Sequence, residues 1–155
     1  MESEQQGGAG RKRGKRDREP RARLDPRAPV AFVDSSAIVA LVDHDDTTHA
    51  AAVDAYRSLV SSGYRLFTTN HVVVEVYDLL SAGVGPAIAR RWLRESRLAI
   101  YTTDEDDEEK ARQMVATADS NVPLTLTDAI SIVVMERLGV ADAFAVDPDF
   151  LAALS

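Results

Sequence analysis

The stretch VAFVDSSAIVALV, residues 30–42, decides the fold. Val30–Val33 is a short, wholly apolar run without polar alternation, the pattern of a strand buried on both faces of a parallel sheet. Ser35–Val42 follows at once and is helical in composition. Only Asp34 separates the two. A strand running straight into a helix is the first half of a βαβ unit, so further units are expected beyond it.

They follow along the chain. Residues 46–62 carry apolar side chains at helical spacing and stop at Gly63, a common C-terminal breaker. Arg65–Phe67 reads as a second strand. Asn70 is placed to cap a helix through Leu80 that Ser81-Ala82-Gly83 ends. Pro86–Ser96 fits a helix with proline in its first turn, and Leu98–Tyr101 a third strand. Thr103 then caps a helix whose acidic run, 104–109, suits a solvated N-terminus. Thr125–Leu138 is a helix ending at Gly139, Ala143–Val146 the last strand, and Asp147-Pro148 opens a short turn or helix. The order predicts an α/β fold: a central parallel sheet of four to five strands, flanked by helices (α/β/α), with right-handed crossovers.

Charge divides the chain at the start of this pattern. Residues 1–28 hold 9 Lys/Arg against 5 Asp/Glu, while the rest holds 9 against 20. The segment 1–28 has one large apolar residue, Leu24, and is expected to be a disordered basic tail. A nucleic-acid arm, a solubilising tail and a misplaced start codon all remain open for it. Residues 29–155 are expected to form one domain. With no cysteine, disulfides and thiolate chemistry are excluded, which fits a reducing cytoplasm. No run reaches the roughly 18 apolar residues of a membrane span, and no apolar segment follows the N-terminal charges as a secretory signal needs.

Four carboxylates fall at comparable places in the plan. Asp34 follows the first strand and Asp147 the last, at the strand ends that line the ligand crevice of an open parallel sheet. Asp128 sits in the first turn of its helix. Glu75 lies inside the apolar stretch Val72–Leu80, where a carboxylate is costly unless a cation compensates it. Each also has a plain explanation: Asp34, Asp128 and Asp147 as helix caps, Glu75 facing solvent beside Asp78. Four acids at one sheet edge suit phosphodiester hydrolysis, because Mg²⁺ or Mn²⁺ prefers oxygen ligands and can activate water and neutralise phosphate. There is no phosphate-binding glycine loop, GxSxG elbow or HExxH motif. His44 and His49 flank Asp43, Asp45 and Asp46, where a loop entering a helix accounts for the same residues as a metal site. His71 follows the Asn70 cap and is a candidate substrate contact. Arg90, Arg94 and Arg97, with Arg91 and Trp92 beside them, could contact phosphates or be a solvated face over a packed Trp92.

The segments FVDSSAIVALVDHDDTTHAAA (32–52), TTNHVVVEVYDLL (68–80) and LTLTDAISIVVMERLGVADAFAVDPDF (124–150) resemble the PIN-domain ribonucleases, and within them the VapC-like toxins of prokaryotic toxin–antitoxin pairs. The resemblance spans Val30 to the C-terminus. It implies an RNA-cleaving, Mg²⁺-dependent enzyme with Mn²⁺ as a substitute. Asp34, Asp128 and Asp147 would be metal ligands, with Glu75 a ligand or an orienter of the attacking water. Ser35 and Thr127 would support those ligands. A homodimer and a VapB-like antitoxin are implied as well. The family's TxDxxF pattern is broken at Ala145, where a hydroxyl is usual, and Asp149 is the alternative if the register is off by two. A PIN-like module that binds RNA or protein without cutting, an RNA-processing nuclease outside toxin–antitoxin systems, and a metal-dependent phosphatase are the rival expectations. The phosphatase would want a carboxylate where Ser36 stands.

Overall fold

The computed structural model describes residues 27–155; all but the last two residues of the expected tail 1–28 lie outside them. The described chain runs β1 (Val30–Val33), α1 (Ser35–Val42), α2 (His49–Ser61), β2 (Arg65–Thr69), α3 (Asn70–Gly83), α4 (Pro86–Glu95), β3 (Ala99–Tyr101), α5 (Glu105–Thr117), α6 (Leu126–Leu138), β4 (Asp142–Phe144) and α7 (Pro148–Ala153). The four strands form one sheet in the order β3-β2-β1-β4, every pairing parallel. Helices flank it, as the alternating pattern predicts.

The strand order fixes where ligands can bind. From β1 the chain builds outward through β2 to β3, and later returns to place β4 on the other side of β1. The direction of winding therefore switches between β1 and β4, and the crevice at such a switch opens outside the carboxyl ends of those two strands. Asp34 is held at that mouth by its backbone, its N–H donating to the Phe144 carbonyl at 2.9 Å and extending the β1–β4 ladder by one bond.

Apolar burial locks the layers. Phe32 is fully buried, its ring 5.6 Å from Phe67 edge-on and 6.1 Å from Phe150; each such side chain contributes about 2–3 kcal/mol. Val72, Val76 and Leu80 recur along the buried stripe of α3. α6 is buried without interruption from Asp128 to Met135, so it is a central helix rather than a surface one. It closes on Gly139, whose φ of +67° is the left-handed cap that glycine adopts without strain.

Several boundaries differ from expectation, each for a local reason. α2 starts at His49, not 46, because the Asp46 carboxylate accepts from both the N–H and the hydroxyl of Thr48 (2.8 and 2.6 Å), a turn that competes with helix. Thr69, not Asn70, caps α3 by accepting from the Val72 N–H at 3.2 Å. The Asn70 side chain instead accepts from the Thr103 N–H at 3.1 Å, and α3 continues through Gly83. Asp104, not Thr103, caps α5 in a reciprocal pair with Asp107. The acidic run is not wholly solvated: Asp107 is 1% exposed. β4 ends at Phe144 rather than Val146.

Candidate active site

Asp34 caps α1 and sits at the crevice with 2% of its surface exposed. Its two oxygens are used differently. Oδ2 accepts from the Ser36 N–H at 3.1 Å and from the Ser36 hydroxyl at 2.5 Å. Oδ1 is buried with no hydrogen-bond partner. Burial raises the Asp34 pKa, the Ser36 hydrogen bonds pull against that, and the negative charge of Glu75 adds to the rise.

Asp128 approaches from the first turn of α6. The cap there is Thr125, whose hydroxyl oxygen accepts the Asp128 N–H at 3.1 Å. Burial pushes Asp128 up to about 6, the charge of Asp34 raises it further, hydrogen bonds to Thr125 oppose, and Glu75 raises it again. Glu75, half-buried on α3, accepts a short hydrogen bond from the Ser35 hydroxyl. These couplings bring Asp34, Asp128 and Glu75 within electrostatic reach of one another.

Asp147 arrives differently. Its carboxylate caps α7, accepting from the Asp149 N–H at 3.0 Å. What ties it to the crevice is its backbone: the N–H groups of Val146 and Asp147 donate to the Ser36 hydroxyl oxygen at 3.0 and 3.2 Å. Asp149 is exposed within α7. As placed, no three His, Cys, Asp or Glu side chains among the described residues close into a metal-binding cage. Like charges without a cation repel, and the four carboxylates are held by neighbouring hydroxyl or backbone N–H groups: Asp34 and Asp147 as caps, Glu75 by Ser35, Asp128 by Thr125.

Ser36 is the residue that sequence reasoning missed. One hydroxyl donates to Asp34 and accepts two backbone N–H groups from the β4–α7 turn. No spacing rule marks it, since its partners lie 110 and 111 residues away. The Ser35 hydroxyl bonds Glu75, while its backbone N–H supports Asp34. Thr127 lines a cavity of about 430 Å³ with His71, Val74, Glu75, Asp78 and Leu79.

The other candidates do not join the crevice. His44 and His49 stack with ring centres 4.7 Å apart, and His49 Nδ1 lies 2.8 Å from the Ala40 carbonyl, which pins the loop to α1. Trp92 packs against the core. Arg91 pairs with Glu95 at 3.1 Å, and Arg97 donates to the last carbonyls of α4. Because all strands are parallel, Arg97, two residues before β3, lies at the sheet edge opposite the crevice. No helix among the described residues is long and apolar enough to cross a membrane.

The PIN-domain family model matches residues 31–153. The 23S rRNA-specific endonuclease VapC20 of Mycobacterium tuberculosis, from strains CDC 1551 / Oshkosh and H37Rv, is 33% identical over 127 residues, covering 80% of this chain and 94% of VapC20. The crystal structure of Mycobacterium tuberculosis VapC20, a sarcin–ricin loop cleaving toxin, matches with a TM-score of 0.68 at 31% identity, again over 80% of this chain and 94% of that one.

Proposed function

This chain belongs to the PIN-domain family, within it to the VapC-type ribonucleases, and on that premise we propose that its acidic crevice is the cleaving centre. Asp34, Asp128 and Asp147 hold a divalent cation, Mg²⁺ with Mn²⁺ as a substitute, and Glu75 is a further ligand or orients the attacking water. The observation that carries this is the unpartnered, buried Oδ1 of Asp34, a carboxylate electrostatically coupled to Glu75 and Asp128. A buried carboxylate oxygen without a donor is costly, and a hard cation among oxygen ligands is the group that offsets it.

Bound there, the cation supplies charge neutralisation at the phosphate and a lowered pKa for a coordinated water. The chain's residues supply the positioning. Ser36 holds Asp34 and draws in the turn that carries Asp147. Ser35 keeps Glu75 turned toward the crevice, where it can hold a proton from the attacking water. Thr125 fixes the first turn of α6 and so the direction of Asp128.

The substrate follows from the relative's named target: structured ribosomal RNA, with the sarcin–ricin loop as the first RNA to offer. A VapB-like antitoxin and a homodimer are proposed on the same relationship. Exposed apolar side chains on α3 and α4, among them Val74 at 62% and Leu79 at 46%, favour a partner surface. We place the reaction in the cytoplasm, where its RNA and its cation are.

The test is direct. The full chain should cleave structured RNA with Mg²⁺ or Mn²⁺ and stop when EDTA is added, and Asp34→Asn should not cleave. A substituted enzyme as fast as wild type would remove the crevice from the mechanism.

A further inference from the structure

His71 takes no part in the proposed metal centre, yet it stands one helical turn before Glu75 on α3, and both line the cavity of about 430 Å³ with Thr127. Its ring is anchored on one side only. Nε2 lies 3.0 Å from Glu108 Oε1 and 3.1 Å from the Thr103 hydroxyl oxygen, while the Thr103 hydroxyl donates to the same Glu108 oxygen at 3.1 Å. The Thr103 N–H is in turn held by Asn70, so the anchor is braced across the β3–α5 loop.

This bonding dictates which nitrogen of the neutral imidazole carries the proton. The bonds from His71 and Thr103 hold the Glu108 carboxyl below its usual range. As an ionised carboxylate it can only accept, so Nε2 must carry hydrogen. In the neutral ring the other nitrogen, Nδ1, is then a lone-pair acceptor. It has no hydrogen-bond partner among the described residues. An acceptor offers nothing to a phosphate oxygen, which accepts as well. Beside a scissile phosphate the nearest donor that RNA carries and DNA lacks is the ribose 2′-hydroxyl.

Building on the carboxylate centre proposed above, we propose that His71 Nδ1 accepts the 2′-hydroxyl of a nucleotide next to the scissile phosphate and so selects RNA over DNA. Glu108 is the positioning residue, acting through the tautomer it imposes.

The experiment uses the full chain with Mn²⁺ and one RNA hairpin that it cuts, after mapping the cut. The hairpin is remade with a single 2′-deoxy or 2′-fluoro nucleotide on either side of that cut. Wild type should cut the all-ribose hairpin about tenfold faster than the deoxy version at one of these positions, the worth of one hydrogen bond. The 2′-fluoro version, which cannot donate, should be as slow as the deoxy one. His71→Ala should cut all three at one slow rate. Glu108→Gln, whose amide can donate to Nε2 and release the proton to Nδ1, should let 2′-fluoro RNA recover relative to deoxy. A tenfold preference that survives in His71→Ala overturns this inference and leaves the carboxylate centre standing. So does a uniform loss in that variant with the preference intact, the mark of a phosphate contact. A wild type that cuts no RNA overturns both.

Discussion

Asp34 and Asp107 are both aspartates at the start of a helix, 2% and 1% exposed, and the chain treats them in opposite ways. Both Asp107 oxygens are satisfied: Arg137 donates to Oδ1 at 2.7 Å, while the Tyr101 hydroxyl and the Asp104 N–H donate to Oδ2, each at 3.1 Å. The same Arg137 nitrogen reaches Asp104 at 2.7 Å. Asp34 has one satisfied oxygen, one buried and bare, and acids rather than an arginine as its charged neighbours. The described residues bring Arg137 to one buried carboxylate and show a neighbouring acid, Glu75, beside the other. On the proposed function, the acid that serves structure takes its countercharge from the chain, and the acid that serves chemistry would take it from solution.

The comparison breaks most decisively at the two aspartates themselves. Asp34→Asn should lower RNA cleavage by about a thousand-fold, the several kcal/mol a cation contributes to such a reaction. Its melting temperature in EDTA should be unchanged or higher, because Asn caps a helix as well as Asp and relieves the repulsion. Asp107→Asn should do the reverse: a loss of about 3 kcal/mol, roughly 10 °C in Tm, with cleavage retained below the melt. An Asp34→Asn protein that melts several degrees lower, or a folded Asp107→Asn protein that no longer cuts, would make the two acids alike.

Added cation is the next largest effect. At a hundred times its dissociation constant it should stabilise wild type by about 2.7 kcal/mol, and calorimetry should show the same increment in Asp107→Asn and little in Asp34→Asn. Equal increments in both variants would place the cation elsewhere.

Acidity should separate the regions by sign. The folded pKa of Asp128 is about 6 against an ordinary 3.8. Between those values the folded chain keeps a proton that the unfolded chain has released. The stability this contributes is full below about pH 4 and lost as pH rises through 6, and Asp34, also raised, acts in the same direction. Asp104 is lowered, first by the Asp107 N–H and then by Arg137, so its contribution is present above about pH 4 and lost on acidification below it. In EDTA the protein should therefore melt higher at pH 5 than at pH 7.5, and Asp128→Asn should shrink that difference. With cation present cleavage should climb through about pH 6, as protons stop competing for Asp128. A metal-free melt that is flat between pH 5 and 7.5 would deny the crevice its uncompensated charge.

The difference between the regions also decides what could be read from the chain. Asp34, Glu75 and Asp128 were legible because each stands where an acid is out of place: at the end of a buried strand, among valines, or opening an apolar helix. The β1–α1 unit was legible in full, since an uninterrupted apolar run and an abrupt helix carry their own boundaries. Asp107 was hidden, because an acidic run at a helix start has one composition whether solvated or buried. Only the fold brings Arg137, 30 residues on, against it. The end of β4 was hidden for a similar reason. Ala145 and Val146 look as strand-like as Phe144, but the ladder to β1 stops at Phe144, and the N–H groups of Val146 and Asp147 turn to Ser36.

Ser36→Ala is the mildest and most discriminating change, because Ser36 joins both kinds of work. Its hydroxyl gives Asp34 a hydrogen bond and the β4–α7 turn an acceptor for two N–H groups. Losing it should cost about 1 kcal/mol of stability in EDTA, since the turn is only partly buried and water can replace part of the loss. Cation affinity and cleavage should fall about tenfold, the lower end of what removing a group that orients a metal ligand costs. The two losses need not travel together. If stability falls while affinity and cleavage hold, Ser36 merely staples the turn, and Asp34 keeps its aim through the Ser36 N–H and its backbone bond to Phe144. If both fall, the hydroxyl that Ala145 lacks has been supplied from the other side of the crevice.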